Sequence, residues 1–164
     1  MDAQTVTEEL EQPSAQELLT HATLTRLAYN GPDGLPRVIP IGFFWNGDEI
    51  VICTAVTAPK VRALSDRPDV ALTIDVGDTP ATAKALSIRG RASVEIVDGV
   101  PSEYIAGSSK GLGEEVIAAF ERNVREMYDQ MARITIKPRW ARYYDFGAGR
   151  LPRFLSILAD NASG

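Results

Sequence analysis

The two strand patterns on either side of Asn46-Gly47 constrain the fold of this chain more than any other feature. Asn and Gly both tolerate a positive φ, so the pair favours a tight hairpin. Residues 37–45 before it and 49–55 after it are largely apolar, β-branched or aromatic. Pro36 and Pro40 interrupt the first strand, and because proline cannot donate to a ladder, that strand is predicted to be locally open or at a sheet edge. The sequence therefore predicts an antiparallel hairpin whose first strand is locally open or at a sheet edge.

Further strand patterns follow at short intervals, separated by turn residues. They cover residues 22–30, 70–76, 84–97, 134–137 and 140–146. Gly90 lies in the middle of the longest one and predicts a bulge or bend. Short helices are predicted at residues 14–20, where Ser14 and Glu17 form a capping-box pattern, and at residues 58–66, 114–130 and 151–159. Six or seven mostly consecutive strands predict an α+β fold whose antiparallel sheet closes into a small barrel.

Length and charge suggest one domain behind an acidic segment. The 164 residues fit a single domain, placed at residues 13–160, and residues 1–12 are predicted to be an acidic flexible tail. Residues 1–20 hold five acidic and no basic residues, whereas the remaining 144 residues hold 17 of each. A neutral body lacks the basic face that nucleic-acid binding requires. With no apolar run long enough for a bilayer and no signal peptide pattern, we expect a cytoplasmic protein without membrane or nucleic-acid partners.

The segment after the hairpin is the best candidate for a binding site. The second strand ends at Thr54 and leads into a short helix that carries Pro59 and Lys60 in its first turn. A helix N-terminus offers free N–H groups and a partial positive charge, which suit a phosphate. Proline in the first turn costs no hydrogen bond there. Lys60 would add a full charge, Thr54 or Thr57 a hydroxyl, and Arg37 a bidentate contact if its strand runs alongside.

A purely structural role is equally compatible with the spacing: Lys60 and Arg62 would be solvated charges on the helix, and Arg37 would cover the sheet edge.

Few other side chains could take part in catalysis. His21 is the single histidine and stands before the first strand, so a surface or capping role is expected, and Cys53 lies in an apolar run typical of a buried thiol. The acidic residues show no metal-ligand spacing. We therefore expect no catalytic side chain and no metal site, with a bound cofactor carrying any redox chemistry.

The order of these residues resembles a known family. An arginine on one strand, a strand ending in threonine, and a lysine six residues after that threonine are similar to the flavin-binding split-barrel proteins of the pyridoxamine 5'-phosphate oxidase type. The patterns Val61-Arg62-x-Leu64-x-x-x-Pro68-x-Val70-x-Leu72 and Gly90-Arg91-Ala92 are similar to that family as well. The resemblance covers residues 15–146. It implies a six- to seven-stranded antiparallel split β-barrel with flanking short helices, and a homodimer with two cofactor sites at its interface.

The resemblance also implies roles for individual residues. Arg37 and Lys60 would hold the phosphate of FMN, with Thr54 and Pro59 beside them. The backbone of the three residues after Arg37 would lie against the isoalloxazine edge: Val38, Ile39 and Pro40. Residues 87–91 of the partner subunit would complete the site.

The implied function is flavin-dependent hydride transfer between FMN and a small organic substrate. Trp140-Ala141-Arg142 only loosely echoes the tryptophan and arginine segment of true pyridoxamine phosphate oxidases, which weighs against pyridoxal phosphate synthesis. Trp140, Tyr143 and Tyr144 are candidates for a wall over the cofactor ring, although dimer packing explains them equally well. The chain also looks like relatives that bind the deazaflavin F420. The alternatives are an F420-dependent reductase, a non-catalytic flavin- or haem-binding protein, and a dimer with a vestigial cleft.

Overall fold

The seven strands form one antiparallel sheet. The computed structural model describes the backbone of residues 1–162 and the side chains of residues 1–158. In chain order the strands are β1 (Leu24–Asn30), β2 (Pro36–Gly42), β3 (Phe44–Trp45), β4 (Ile50–Ala55), β5 (Asp69–Val76), β6 (Lys84–Asp98) and β7 (Gln130–Asp145). Their order in the sheet is β2-β1-β5-β6-β7-β4-β3. The predicted α+β class and strand number are confirmed, but no ladder joins β2 to β3, so the sheet stays split and does not close by hydrogen bonds.

The helices are short and flank the sheet. They are α1 (Ala3–Leu10), α2 (Pro13–His21), α3 (Pro59–Asp66), α4 (Ser102–Ser108), α5 (Glu114–Met127) and α6 (Arg153–Ala162). The capping box expected in α2 is wrong, because Ser14 lies inside the helix and Gln12 occupies the N-cap without a side-chain hydrogen bond. Helix α4 was not predicted. None of the helices in the described part of the chain combines the length and apolar character needed to cross a bilayer.

The predicted hairpin and edge strand are confirmed. Asn46 Oδ1 accepts hydrogen bonds from the backbone N–H groups of Asp48 and Glu49, at 3.0 and 2.8 Å, and Gly47 has a φ of 102°. Strand β2 is at one end of the sheet, as its prolines predicted. The strand expected over residues 37–45 breaks at Phe43, because this side chain turns into the core and is 1% exposed. This break separates β2 from β3.

The two strands predicted around Pro138 are one continuous strand, β7, which pairs with β6 along its whole length. The register shifts between Arg89 and Gly90: Gly90 lies opposite Pro138, while Arg89 lies opposite Trp140. The bulge predicted at Gly90 is therefore confirmed, and it lets proline sit within a long strand. A Cβ at Gly90 would come within 2.6 Å of the carbonyl oxygen of Lys137, so only glycine fits.

The acidic flexible tail expected at residues 1–12 is wrong. Residues 3–10 form α1, which is capped by Asp2 through a 2.9 Å hydrogen bond from the N–H of Thr5. Val6 and Leu10 belong to the main core. Glu9 is buried and bridges Arg142 and Arg150, with N–O distances of 2.9 and 2.6 Å. An acidic segment looks solvated in sequence when its basic partners lie more than 130 residues away.

The core has two parts. The larger cluster fills the inner face of the sheet beneath α1 and α2. A smaller cluster gathers Val51, Cys53, Val100, Val124 and Met131, with aromatic side chains from α4 and α5 packed against it. The smaller cluster places α4 beside the split in the sheet.

Candidate functional site

Thr54 and Lys60 come together where β4 leads into α3. After β4 the chain turns, with the N–H of Ala58 donating to the carbonyl of Ala55 at 3.0 Å. Pro59 then takes the first position of the helix. This turn brings Lys60 Nζ to 3.4 Å from Thr54 Oγ1. The structure therefore joins two of the three side chains that the sequence assigned to a phosphate.

Lys60 lacks a counter-ion in this place. Burial lowers the pKa of its ammonium group, and no carboxylate of residues 1–158 lies within 4.0 Å of it. Ala58, at the N-cap of α3, provides no side-chain hydrogen bond, so the first N–H groups of the helix lack a side-chain cap. A half-buried cation at the positive end of a helix favours an anionic ligand.

Arg37 is not part of this cluster. It pairs with Tyr29 across the β1–β2 ladder, and its Nη2 lies 3.2 Å from Asp33 Oδ2 in the turn between those strands. Within residues 1–158, no hydrogen bond or ion pair links Arg37 to Thr54 or Lys60. The residue spacing that resembles the family did not predict this contact between Arg37 and Asp33.

The three residues after Arg37 lie on the free edge of the sheet. Val38 and Pro40 are exposed on its outer face, whereas Ile39 packs towards the core. Because β2 has a neighbour on one side only, half of its backbone groups face away from the ladder. This edge is available to the flat, polar rim of a ligand.

A cavity of about 380 Å³ occupies the split between β2 and β4. Pro40 on β2 and Thr54 on β4 both line it, so it adjoins the Thr54–Lys60 pair. Helix α4 closes one side. Arg37, Val38, Ile39, Pro59 and Lys60 do not line it. Its lining is Leu24, Pro40, Ile41, Gly42, Phe43, Val51, Cys53, Thr54, Ala55, Glu103, Tyr104, Gly107, Ser108, Tyr128 and Met131.

The charged group in the cavity wall is neutralised. Arg133 donates to Glu103 Oε1 from Nε at 3.0 Å and from Nη2 at 2.8 Å. Burial opposes ionisation of Glu103, but hydrogen bonds from its own backbone N–H and from Arg133 outweigh it and hold the pKa of this carboxyl below its usual range. Burial, reinforced by the Glu103 charge, raises the pKa of the Cys53 thiol to about 11. The expected buried thiol is thus present, and it is protonated at neutral pH.

Two tyrosines form part of the same wall. Tyr104 on α4 and Tyr128 after α5 meet edge to face, with ring centroids 6.4 Å apart and an interplanar angle of 82°. Burial raises the pKa of Tyr104, so its phenol stays protonated. The sequence patterns predicted no helix over residues 102–108, so the contribution of α4 to this wall was missed. Gly107 was the available signal: a Cβ there would lie 2.8 Å from the carbonyl oxygen of Phe43.

The remaining candidates have other environments. Tyr143 is largely buried and donates to Asp145 Oδ2 at 3.0 Å, and together with Trp140 and Tyr144 it lines a second cavity, of about 480 Å³. Trp140 lies on the outer face of the sheet, beneath the Arg89 guanidinium at 4.5 Å. His21 Nδ1 lies 3.2 Å from the carbonyl oxygen of Glu17 in the last turn of α2. In the described residues no three His, Cys, Asp or Glu side chains converge as metal ligands.

Known structures share this architecture. A conserved hypothetical protein, Rv2991, from Mycobacterium tuberculosis is 19% identical with a TM-score of 0.60, over 93% of this chain and 90% of that chain. An F420 reductase is 23% identical with a TM-score of 0.52, over 77% and 94%. HutZ, the heme storage protein from Vibrio cholerae, is 19% identical with a TM-score of 0.57, over 79% and 92%. At these identities the likeness establishes the fold alone.

Sequence comparison identifies the family. No curated protein matches this chain significantly. The family model described as pyridoxamine 5'-phosphate oxidase matches residues 12–145, which include the whole sheet, the Thr54–Lys60 pair and the cavity. The chain therefore belongs to the pyridoxamine 5'-phosphate oxidase family.

Proposed function

We propose that this protein is a cytoplasmic, homodimeric oxidoreductase that binds FMN and transfers hydride between it and a small organic molecule. The observation that carries the proposal is the environment of Lys60. Its ammonium is half-buried, has a neutral hydroxyl as its hydrogen-bond partner, and stands at the N-terminus of α3. Partial desolvation without a counter-charge is unfavourable, and a phosphate removes that cost.

The parts of this site divide the work of holding a phosphate. Lys60 supplies a full positive charge and Thr54 supplies a hydroxyl donor. The N-terminus of α3 adds its partial positive charge and the backbone N–H of Lys60, since Pro59 has no N–H and that of Val61 donates to the carbonyl of Ala58. Arg37 is held by Asp33, but both side chains are about half exposed, at 41% and 50%. Such an exposed pair contributes about 0–1 kcal/mol, so an anionic ligand competes easily for the guanidinium.

FMN, when bound, supplies the hydride chemistry, and the chain supplies binding, orientation and exclusion of water. The free edge of β2 at Val38, Ile39 and Pro40 would support the ring through its backbone. The cavity between β2 and β4 shares Pro40 and Thr54 with this site, so a second small molecule in it would lie beside the cofactor.

A row of side chains across the outer face of the sheet supports the homodimer. The ladder registers align Val38 with Ala28, Ala28 with Ala71, Ala71 with Arg89, and Arg89 with Trp140. The row crosses five strands, and the side chains at its centre, Ala28 and Ala71, are small and give a flat surface. Val38, at one end, is 64% exposed. A flat, small-residue face with apolar ends suits close approach of a second copy, which sedimentation equilibrium would detect as a dimer mass.

F420 is the second candidate cofactor. It is favoured by the fold that this chain shares with an F420 reductase. The Thr54–Lys60 pair suits its phosphate equally, and Arg62 is exposed near the same helix end, with its nearest carboxylate, Asp66, 3.9 Å away. A non-catalytic flavin- or haem-binding role, in line with the likeness to a heme storage protein, is the remaining alternative. Turnover of the reduced, cofactor-loaded protein with an acceptor separates it from an enzyme.

Paired substitutions on α3 test the phosphate site. Lys60→Ala should weaken FMN binding by about 1.5–3 kcal/mol, or roughly 10- to 150-fold in Kd, because a charged hydrogen bond is lost. Arg62→Ala is the matched control: it removes a cation two residues away whose side chain is 88% exposed. Equilibrium fluorescence titration measures both. Equal affinity of the Lys60 variant and the wild type would sink the assignment.

A further inference from the structure

The cavity between β2 and β4 adjoins the proposed phosphate site through Thr54, but the chemistry of its wall is different. It holds about 380 Å³, within the range of about 300–1,000 Å³ typical of small-molecule sites. Lys60 and Arg37 are not part of its wall. What the wall offers therefore decides which molecules fit beside the proposed cofactor.

The wall disfavours charged molecules. Among its fifteen lining residues there is no lysine, arginine or histidine, and Glu103 is the one ionised side chain. Lys60 approaches the cavity only behind Thr54, 3.4 Å from its hydroxyl, so an anion seated on the α4 side would lose hydration and face the carboxylate of Glu103. A cation would gain little, because Arg133 already forms two hydrogen bonds with Glu103 at 2.8 and 3.0 Å.

The wall favours a flat, largely apolar molecule. The half-buried rings of Tyr104 and Tyr128 present aromatic surface, and the accessible side chains of Leu24 and Ile41 add to the apolar part. Aromatic side chains pack well against flat rings.

Two phenol groups of the wall can donate hydrogen bonds to a ligand. The phenols of Tyr104 and Tyr128 form no hydrogen bond with any protein group of residues 1–158, although burial keeps Tyr104 protonated. A half-buried hydroxyl without a partner leaves hydrogen-bonding capacity for a ligand. An oxygen acceptor on the ligand would satisfy it.

We propose that this cavity is the substrate site and that it takes uncharged, planar compounds carrying a hydrogen-bond-accepting oxygen, and excludes phosphorylated or carboxylated ones. The substrate role rests on the proposed function, whereas the binding preference rests on the cavity alone. The substrate class differs from the phosphorylated substrate that the family description names.

The single cysteine of the chain reports occupancy of this cavity directly. Cys53 lines it, so a bound molecule shields its thiol from alkylation by the neutral reagent iodoacetamide. The probes are coumarin, which is flat, uncharged and carries a carbonyl, and coumarin-3-carboxylate, its anionic counterpart. Alkylation of the cofactor-free protein is followed by mass spectrometry at fixed pH with increasing amounts of each probe.

Coumarin should slow alkylation saturably, about tenfold at about ten times its Kd, because only the open cavity reacts. Coumarin-3-carboxylate should give no protection over the same range. Tyr104→Phe, which keeps the ring and removes the hydroxyl, should weaken protection by coumarin, and Ser108→Arg should confer protection by the carboxylate. Equal or better protection of the wild type by the carboxylate, or none by coumarin, would overturn the proposal.

The same experiment separates this inference from the proposed function. Protection by coumarin in a protein that binds neither FMN nor F420 would leave the cavity preference standing and remove the oxidoreductase assignment. Cofactor binding without protection by coumarin would keep the oxidoreductase assignment and refute the cavity proposal.

Discussion

Glu9 fastens the N-terminal helix to the last strand, and its removal should destabilise the whole protein. The carboxylate, 5% exposed as a residue, accepts a 2.9 Å hydrogen bond from the backbone N–H of Tyr143 and pairs with Arg142 and Arg150. A hydrogen bond to a buried charge contributes about 1.5–3 kcal/mol. The arginines are 46% and 38% exposed, so the two ion pairs together add about 0.5–1 kcal/mol. Glu9→Ala should therefore lower the free energy of unfolding by about 2–4 kcal/mol.

Glu8→Ala is the matched control, because Glu8 lies on the exposed side of the same helix, where its contact is an exposed hydrogen bond from Gln4. Urea denaturation at pH 7 gives both free energies. If the two variants differ by less than about 0.5 kcal/mol, the scale of an ordinary surface substitution, the contacts of Glu9 with β7 and Arg150 do not stabilise the protein. The N-terminal segment would then be flexible, as the sequence predicted.

The stabilisation by Glu9 should also depend on pH. Burial raises the pKa of Glu9, but the N–H of Tyr143 and the two arginines outweigh it, so the pKa in the folded protein lies below the ordinary value of 4.5. The unfolded chain therefore binds the proton first as pH falls, and the stabilisation present above pH 4.5 is lost as pH drops through the folded pKa. The difference between wild type and Glu9→Ala should shrink over that window.

Three further predictions concern the sheet, the thiol and the ion pair between Arg37 and Asp33. Gly90→Ala should cost about 1–3 kcal/mol of stability, because its Cβ meets the Lys137 carbonyl at 2.6 Å; a melting temperature within 1 °C of wild type, about the resolution of such a shift, would contradict this. Iodoacetamide should alkylate Cys53 at a rate that still climbs between pH 9 and 10, since its pKa is about 11; a plateau near pH 9 would show an exposed thiol. Asp33→Asn should change stability by less than about 1 kcal/mol and leave FMN binding equal or tighter, because it releases Arg37 from an exposed ion pair; weaker FMN binding in titration would argue against a phosphate role for Arg37.

Local patterns predicted the sheet well, because strand period and turn chemistry act over a few residues. The Asn46-Gly47 hairpin, the edge position of β2 and the bulge at Gly90 all followed from that chemistry. Pro138 misled the same reasoning: it reads as a strand break, yet the bulge opposite Gly90 absorbs it. The N-terminal helix was not predicted for a different reason. Its Glu9 is held by Arg142 and Arg150, which are distant in sequence and which no local pattern reveals.

The candidate site was predictable in part. The spacing from Thr54 to Lys60 spans one turn between a strand and a helix, so their proximity follows from the sequence. The position of Arg37 depends on a competing carboxylate, Asp33, whose effect appears only once the β1–β2 turn is folded. The cavity could not be predicted from the sequence, because its wall is formed by residues from both ends of the split sheet, from α4 and from the segment after α5.

The most direct test of this account is an equilibrium titration of the purified protein with FMN and, separately, with F420, followed by absorbance and fluorescence. We predict saturable one-to-one binding of FMN per chain, weakened in Lys60→Ala and unchanged in Arg62→Ala. Selective binding of F420 with the same dependence on Lys60 would keep the phosphate site and exchange the cofactor. Binding of neither cofactor would contradict the central claim that Lys60 and Thr54 hold a cofactor phosphate.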